Sequence, residues 1–123
     1  MTWEIKTDRP IYLQLVEQIE LRIVSGIYAV GEKLPSVRDL AVDAAVNPNT
    51  MQRALSELER SGLVYSQRTS GRFITEDATM IENMKNTLAQ TQISMFFEKM
   101  EQLGYSKQQT IHMMESRSEE AQK

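Results

Sequence analysis

The chain has 123 residues and a mass of 14.2 kDa, with 41% hydrophobic and 25% charged residues. That balance predicts one folded domain, or one domain with an appendage, and excludes wholesale disorder. It has no cysteine and one histidine, His112, which excludes a disulfide framework, a thiol nucleophile, a cysteine-ligated metal and a two-histidine metal site. No apolar run approaches the roughly 20 residues of a membrane helix. The opening MTWEIKTDRP lacks an apolar signal core, so a cytoplasmic location is expected. The formal charge of −3 and the pI of about 5.2 weigh against a nucleic-acid partner, since such domains usually read basic.

The charge is unevenly spread. Residues 1–75 hold nine Lys+Arg and nine Asp+Glu; residues 76–123 hold five and eight, which is the whole excess of −3. Every proline and every glycine but Gly104 precede residue 76, and six of the eight methionines follow it. These shifts put a boundary at Thr75–Ala78, between a domain at 1–75 and a tail at 76–123.

In chain order, Pro10 suits the first turn of a helix. Ile11, Leu15, Ile19 and Ile23 then recur every four residues, with Tyr12 and Val16 alongside, until Gly26. A linker at Ile27–Pro35 leads to Ser36-x-x-Asp39, the start of a short helix running to about Ala44. Asn47 is a favoured cap and Pro48 a favoured first residue for a third helix, with an apolar stripe of Met51, Ala54, Leu55 and Leu58 and a stop at Gly62. Leu63–Ser66 and Arg72–Thr75 read as short strands around the polar turn Gln67–Gly71.

The tail reads as two helices. Thr79-x-x-Glu82 is expected to cap a long helix to Leu103, and Ser106-x-x-Gln109 a last one. From Glu115 onward a polar end, with Glu119 and Glu120 in solvent, is expected to fray. Trp3 and Ile5 are expected to anchor the N-terminus on the tail or on the first helix.

Helix, short helix, tight turn, helix and hairpin make a winged helix-turn-helix: mainly α, with a small β wing, followed by a two-helix tail. A tight turn at Ala44–Val46 would set the N-terminus of the third helix in the DNA major groove. That first turn carries Asn47, Asn49, Thr50, Gln52 and Arg53. Asn and Gln can pair with adenine edges, Arg with guanine, and Thr with phosphate or the thymine methyl. Asn47 is first of all a cap, and polar first turns are commonplace. Arg68 and Arg72 flank the hairpin turn, with no acidic residue between Arg60 and Glu76. Arg38, on the short helix, either meets the DNA backbone or forms a surface ion pair with Asp39 or Glu32.

Pro10–Thr75 resembles the DNA-binding domain of GntR-type regulators. The resemblance is carried by PIYLQLVEQI, GIYAVGEKLPSVRDLA, VNPNTMQRALSELERSGLVYS and GRFIT. PIYLQL and NPNT further resemble the YtrA branch, a short regulator with one winged helix and a two-helix dimerising tail. The 48 residues after Thr75 match such a tail. The resemblance implies DNA contacts from Arg38, from Asn47, Asn49, Thr50, Gln52 and Arg53, and from Arg68, Gly71 and Arg72. This sequence departs from the family pattern twice. Thr69 stands at the first position of the usual Gly-x-Gly wing turn, so a wing tip of different shape is expected. Ala45 stands in the helix-turn-helix turn where glycine is frequent.

A lone winged helix binds a half-site weakly, whereas two held in a symmetric dimer read a palindrome. The long tail helix would supply that seam through Leu88, Ile93, Phe96, Phe97 and Met100. The expected partners are double-stranded DNA and a second copy of the chain, with no membrane. No cofactor or metal is expected, and nothing supports an enzyme: there is no partnered nucleophile, glycine-rich phosphate loop or carboxylate pair, and lone His112 reads as structural. The rival readings are a winged helix that binds protein instead of DNA, and a DNA-binding regulator with a small-molecule effector site in its tail.

Overall fold

The computed structural model describes the backbone of residues 1–121 and the side chains of residues 1–118. Its elements are α1 (Ile11–Val24), α2 (Val37–Ala44), α3 (Pro48–Ser61), β1 (Val64–Gln67), β2 (Gly71–Ile74), α4 (Ala78–Gln102) and α5 (Lys107–Ala121). They form two compact units, Met1–Lys85 and Asn86–Lys123. The packing division thus falls within α4, beyond the compositional one, because Ile81 joins the core of the first unit and Met80 and Met84 pack against it.

That core follows the helical periodicities. Leu15, Ile19 and Ile23 of α1 meet Leu40, Ala41 and Ala44 of α2 and Met51, Ala54, Leu55 and Leu58 of α3. Leu34, Leu63, Val64 and Ile74 close it from the hairpin side. Ile11, the first member of the α1 stripe, remains 41% exposed, because it lies at the lip of a cleft beside α3.

Local chemistry sets the helix ends. Pro10 stands at the cap position of α1, just outside the helix. Ser36 Oγ accepts from the Asp39 N–H at 3.1 Å. Ser106 and Gln109 cap α5 reciprocally, with Gln109 N–H donating to Ser106 Oγ at 3.1 Å and Ser106 N–H to Gln109 Oε1 at 2.8 Å. The cap of α4 is Asp77, whose Oδ1 accepts from Met80 N–H at 3.1 Å, rather than the expected Thr79. Aspartate one residue before the first helical position is the better acceptor for the free N–H groups and complements the helix dipole. The polar segment after Glu115 is helical in continuation of α5, which extends to Ala121; the side chains of Glu119 and Glu120 lie outside the described residues.

β1 and β2 pair antiparallel with Tyr65 opposite Phe73 and Gln67 opposite Gly71. The expected linker adds a third line of pairing to this hairpin. Leu34 N–H donates to Arg72 O at 2.9 Å, Ile74 N–H to Glu32 O at 2.8 Å, and Lys33 bridges Phe73.

The N-terminal strap is held by two glutamines of α1. Gln14 Oε1 accepts from Lys6 N–H at 2.7 Å, and its amide donates to Lys6 O at 2.7 Å and Arg9 O at 2.9 Å. Gln18 exchanges hydrogen bonds with the Glu4 backbone in the same way. Trp3 consequently packs on α1 and α2: its Nε1 donates to Asp43 Oδ2 at 2.7 Å, and the buried Arg22 guanidinium stacks 3.7 Å from the ring centroid.

Candidate nucleic-acid interface

The turn between α2 and α3 depends on one strained residue. Ala45 takes φ 57° and ψ 47°, the left-handed conformation, and Val46 N–H returns to Ala41 O at 3.0 Å. A side chain there costs about 1–2 kcal/mol, which explains why glycine is frequent at this position in the resembling family. Alanine nevertheless makes the same turn.

Beyond the turn, Asn47 Oδ1 accepts from Asn49 N–H at 2.8 Å, and Pro48 opens α3 without needing a partner for an N–H. Met51 and Ala54 face the core with no exposure. The helical repeat therefore sends Asn49, Thr50, Gln52 and Arg53 outward. Asn49, Gln52 and Arg53 are exposed and Thr50 is half-buried. Gln52 makes a long 3.4 Å contact with Ser56 Oγ. The Arg53 guanidinium lies 3.6 Å from the ring centroid of Tyr12, the second residue of α1. Pro10, Ile11 and Tyr12 line an open cleft with Asn49, Thr50 and Arg53.

The wing turns tightly. Ser70 N–H donates to Gln67 O at 3.1 Å, and the left-handed residue that follows is Gly71 at φ +101°. Thr69 is not among the residues with positive φ, so the tip does not need glycine there. The left-handed residue of the tip is Gly71, the second glycine position of the Gly-x-Gly pattern, which this chain keeps.

Arg68 is exposed and has no ion-pair partner among the described residues. Arg72, at the other end of the turn, is ion-paired. Its Nε donates to Glu59 Oε1 at 2.5 Å, joined by Ser66 Oγ at 2.6 Å on the same oxygen. The hydrogen bond from Ser66, with that from Arg72, holds the Glu59 carboxyl below its ordinary pKa. The gap in acidic residues between Arg60 and Glu76 concealed this partner, which sits one residue before the gap on α3.

Arg38 is exposed at the start of α2, and neither Asp39 nor Glu32 pairs with it. Glu32 accepts from Ala29 N–H instead, at 2.5 Å. Arg38 shares a second cleft with Ser36, Thr69, Ser70 and Gly71 of the wing, and with Lys33. Sequence reasoning missed Lys33. A methyl group built on Gly71 would lie 3.2 Å from Lys33 Cε, so the lysine chain runs directly beneath the wing. Only the long-range bridge from Lys33 to Phe73 brings it there.

In the second unit, Ile93 and Phe96 are 49% and 43% exposed, while Leu88, Phe97 and Met100 are half-buried. The Phe96 and Phe97 rings lie 6.2 Å apart. His112 is exposed on α5. No cluster of metal-ligating side chains occurs among the described residues, and no described helix is long and apolar enough to cross a membrane.

Comparison with known proteins bears on the same elements. The model of the bacterial regulatory proteins of the gntR family matches residues 11–74, from the first turn of α1 to the end of β2. The chain is 40% identical over 108 residues to the HTH-type transcriptional regulator YhcF of Bacillus subtilis, covering 88% of this chain and 89% of that protein. It is 39% identical over 98 residues to the HTH-type transcriptional repressor YtrA of the same organism, covering 80% and 71%. A GntR family transcriptional regulator from Listeria monocytogenes superposes with a TM-score of 0.83 at 39% identity, over 91% of this chain and 98% of that one. The DNA-binding domain of AraR, solved in complex with an operator, superposes with a TM-score of 0.53 at 26% identity, over 61% of this chain and 99% of that one. Its helix-turn-helix, its hairpin wing and these relatives together make the chain a member of the gntR family, a YtrA-like helix-turn-helix transcription regulator and not an enzyme.

Proposed function

We propose that the protein is a cytoplasmic, homodimeric repressor that reads a palindromic operator, each copy occupying one half-site. The observation that carries this reading is the outward face of the first two turns of α3. Asn49, Gln52 and Arg53 stand exposed beside the helix N-terminus while the opposite face is sealed in the core. A helix end presenting an amide pair and a guanidinium fits base edges in a major groove, and its free N–H groups favour phosphate. Asn47 and Thr50 serve the same end, the first by capping and the second toward phosphate. Arg38, Lys33 and Arg68 hold the backbone on either side, with Gly71 letting the wing approach closely. Arg72 acts through Glu59, fastening the wing to α3 instead of touching DNA.

Dimerisation would use Leu88, Ile93, Phe96, Phe97 and Met100 of α4. Repression is supported by the 39% identity to a named repressor. The acidic pI is compatible with this reading, because the excess negative charge lies in residues 76–123 while residues 47–75 carry four Arg against two Glu.

Selection of bound duplexes from a random pool should return an inverted repeat. The Arg53→Ala, Arg68→Ala variant should bind the selected duplex far more weakly, and its salt slope should fall by about one per lost phosphate contact and subunit. Unchanged binding by that variant would overturn the reading.

A further inference from the structure

The arginines of the first unit are held in different ways, and the differences sort them by role. Arg9 is clamped by both carboxylate oxygens of Glu17 at 2.8 Å, Arg60 is paired with Glu57 at 3.2 Å, and Arg72 with Glu59 at 2.5 Å. Each of these cations is neutralised by a neighbour. Arg22 is buried beneath Trp3 and donates to the carbonyls of Gln18 and Met1. Arg53 is exposed, has no carboxylate partner among the described residues, and lies 3.6 Å from the centre of the Tyr12 ring.

A carboxylate beside Arg53 would hold it equally well, but it would repel an arriving phosphate and would have to be displaced. An aromatic face attracts the guanidinium through its quadrupole and leaves the charge intact. Stacking also occupies only the flat face of the guanidinium. The N–H groups lie in its plane and remain free to donate as a fork. An arginine already ordered in this way loses less side-chain freedom on binding.

Tyr12 is itself fixed. Pro10 sets the backbone just before α1, and the Gln14 amide holds the preceding strap through Lys6 O and Arg9 O. Ring and guanidinium border the same cleft as Asn49 and Thr50, at the N-terminus of α3.

We propose that Tyr12 is a positioning residue for DNA binding: its ring, one helix away from α3, holds the Arg53 guanidinium ordered and un-neutralised, aimed at the nucleic acid. This rests on the reading of Arg53 as a DNA contact.

The test is a cycle of operator affinities for the intact chain and for Tyr12→Phe, Tyr12→Leu, Arg53→Ala and the Tyr12→Leu, Arg53→Ala double variant. Phe keeps the ring and should bind like the original. Leu keeps bulk without the ring and should weaken binding roughly threefold to tenfold per subunit. The double variant should be no weaker than Arg53→Ala alone. If Arg53→Ala binds normally, the contact reading fails and the positioning role falls with it. If Arg53→Ala weakens binding but Tyr12→Leu does not, or if their losses simply add, the positioning role alone is overturned. A measurement on the unaltered protein guards against a Leu variant that fails to fold. The Arg53 side-chain protons should show upfield ring-current shifts in proton NMR, and their absence would overturn the stacking.

Discussion

Leu15, Ile19, Leu55 and Ile74 of the first unit have no exposure at all, whereas Met95, Leu103, Ile111 and Met114 of the second are 42–72% exposed. Both units are helical and both carry apolar residues at helical spacing, yet among the described residues from Asn86 onward only Thr110 is buried. Three helices and a hairpin can surround one another's apolar faces. A helix as long as α4 with one shorter helix has too little partner surface to do so. The same pattern that makes a core in one region leaves an uncovered face in the other, and exposed apolar faces of that kind mark sites of association.

The sharpest way to test this contrast is to damage each region in turn. Leu55→Ala should destabilise the first unit by about 2–5 kcal/mol, through lost burial plus the cavity left behind, measured by chemical denaturation. Phe97→Glu should leave that transition in place, separate copies of the chain in light scattering, and lower operator affinity by about a hundredfold or more through lost avidity. A Phe97→Glu chain that unfolded as a whole, or stayed associated, would break the contrast.

A smaller effect is expected where the wing meets α3. Glu59 has a folded pKa below its ordinary value, first through the Ser66 hydrogen bond and then through Arg72. A depressed carboxylate stabilises the fold at pH values above its unfolded pKa of about 4.3, and that contribution is lost as the pH falls through the lower folded value. Glu59→Gln should cost up to about 1 kcal/mol at neutral pH, the pair being partly screened by solvent, and should flatten the acid limb of stability below about pH 4.3. An unaltered acid limb would show that the wing clamp carries no linkage.

The smallest effect is one of gain. Ala45→Gly relieves a left-handed alanine and should stabilise the first unit by about 0.5–1 kcal/mol, the strain of about 1–2 less the extra entropy glycine loses on folding. A loss in thermal unfolding would mean that the alanine methyl is packed and not merely tolerated.

Helix ends and buried faces were legible in the chain wherever local signals and period agreed. Asn47-Pro48 marks the start of α3 and Gly62 its end, and both act as predicted. Ser106 and Gln109 form the reciprocal cap that their spacing announces. The turn residues Asn49, Gln52 and Arg53 were readable as an outward face because Met51 and Ala54 name the inward one. Interactions across distance were not legible. The cap of α4 went to Asp77 over Thr79 by one residue of register. Glu59 is 13 residues from Arg72, and no spacing rule joins a helix face to a strand. Lys33 reaches the wing only through a bridge 40 residues along the chain, and Tyr12 finds Arg53 only because α1 packs on α3.

The amino-acid order by itself determined which segments are helix or strand, which faces are apolar, and that the negative charge collects after residue 75. Those properties follow from φ/ψ preference, capping and side-chain period, all of which act within a few residues. Tertiary structure alone decided which cations are free and which are spent: Arg72 on Glu59, Arg9 on Glu17, Arg53 left charged on a tyrosine face. A charge is neutralised or displayed according to its neighbours in space, and those neighbours are set by how the helices pack.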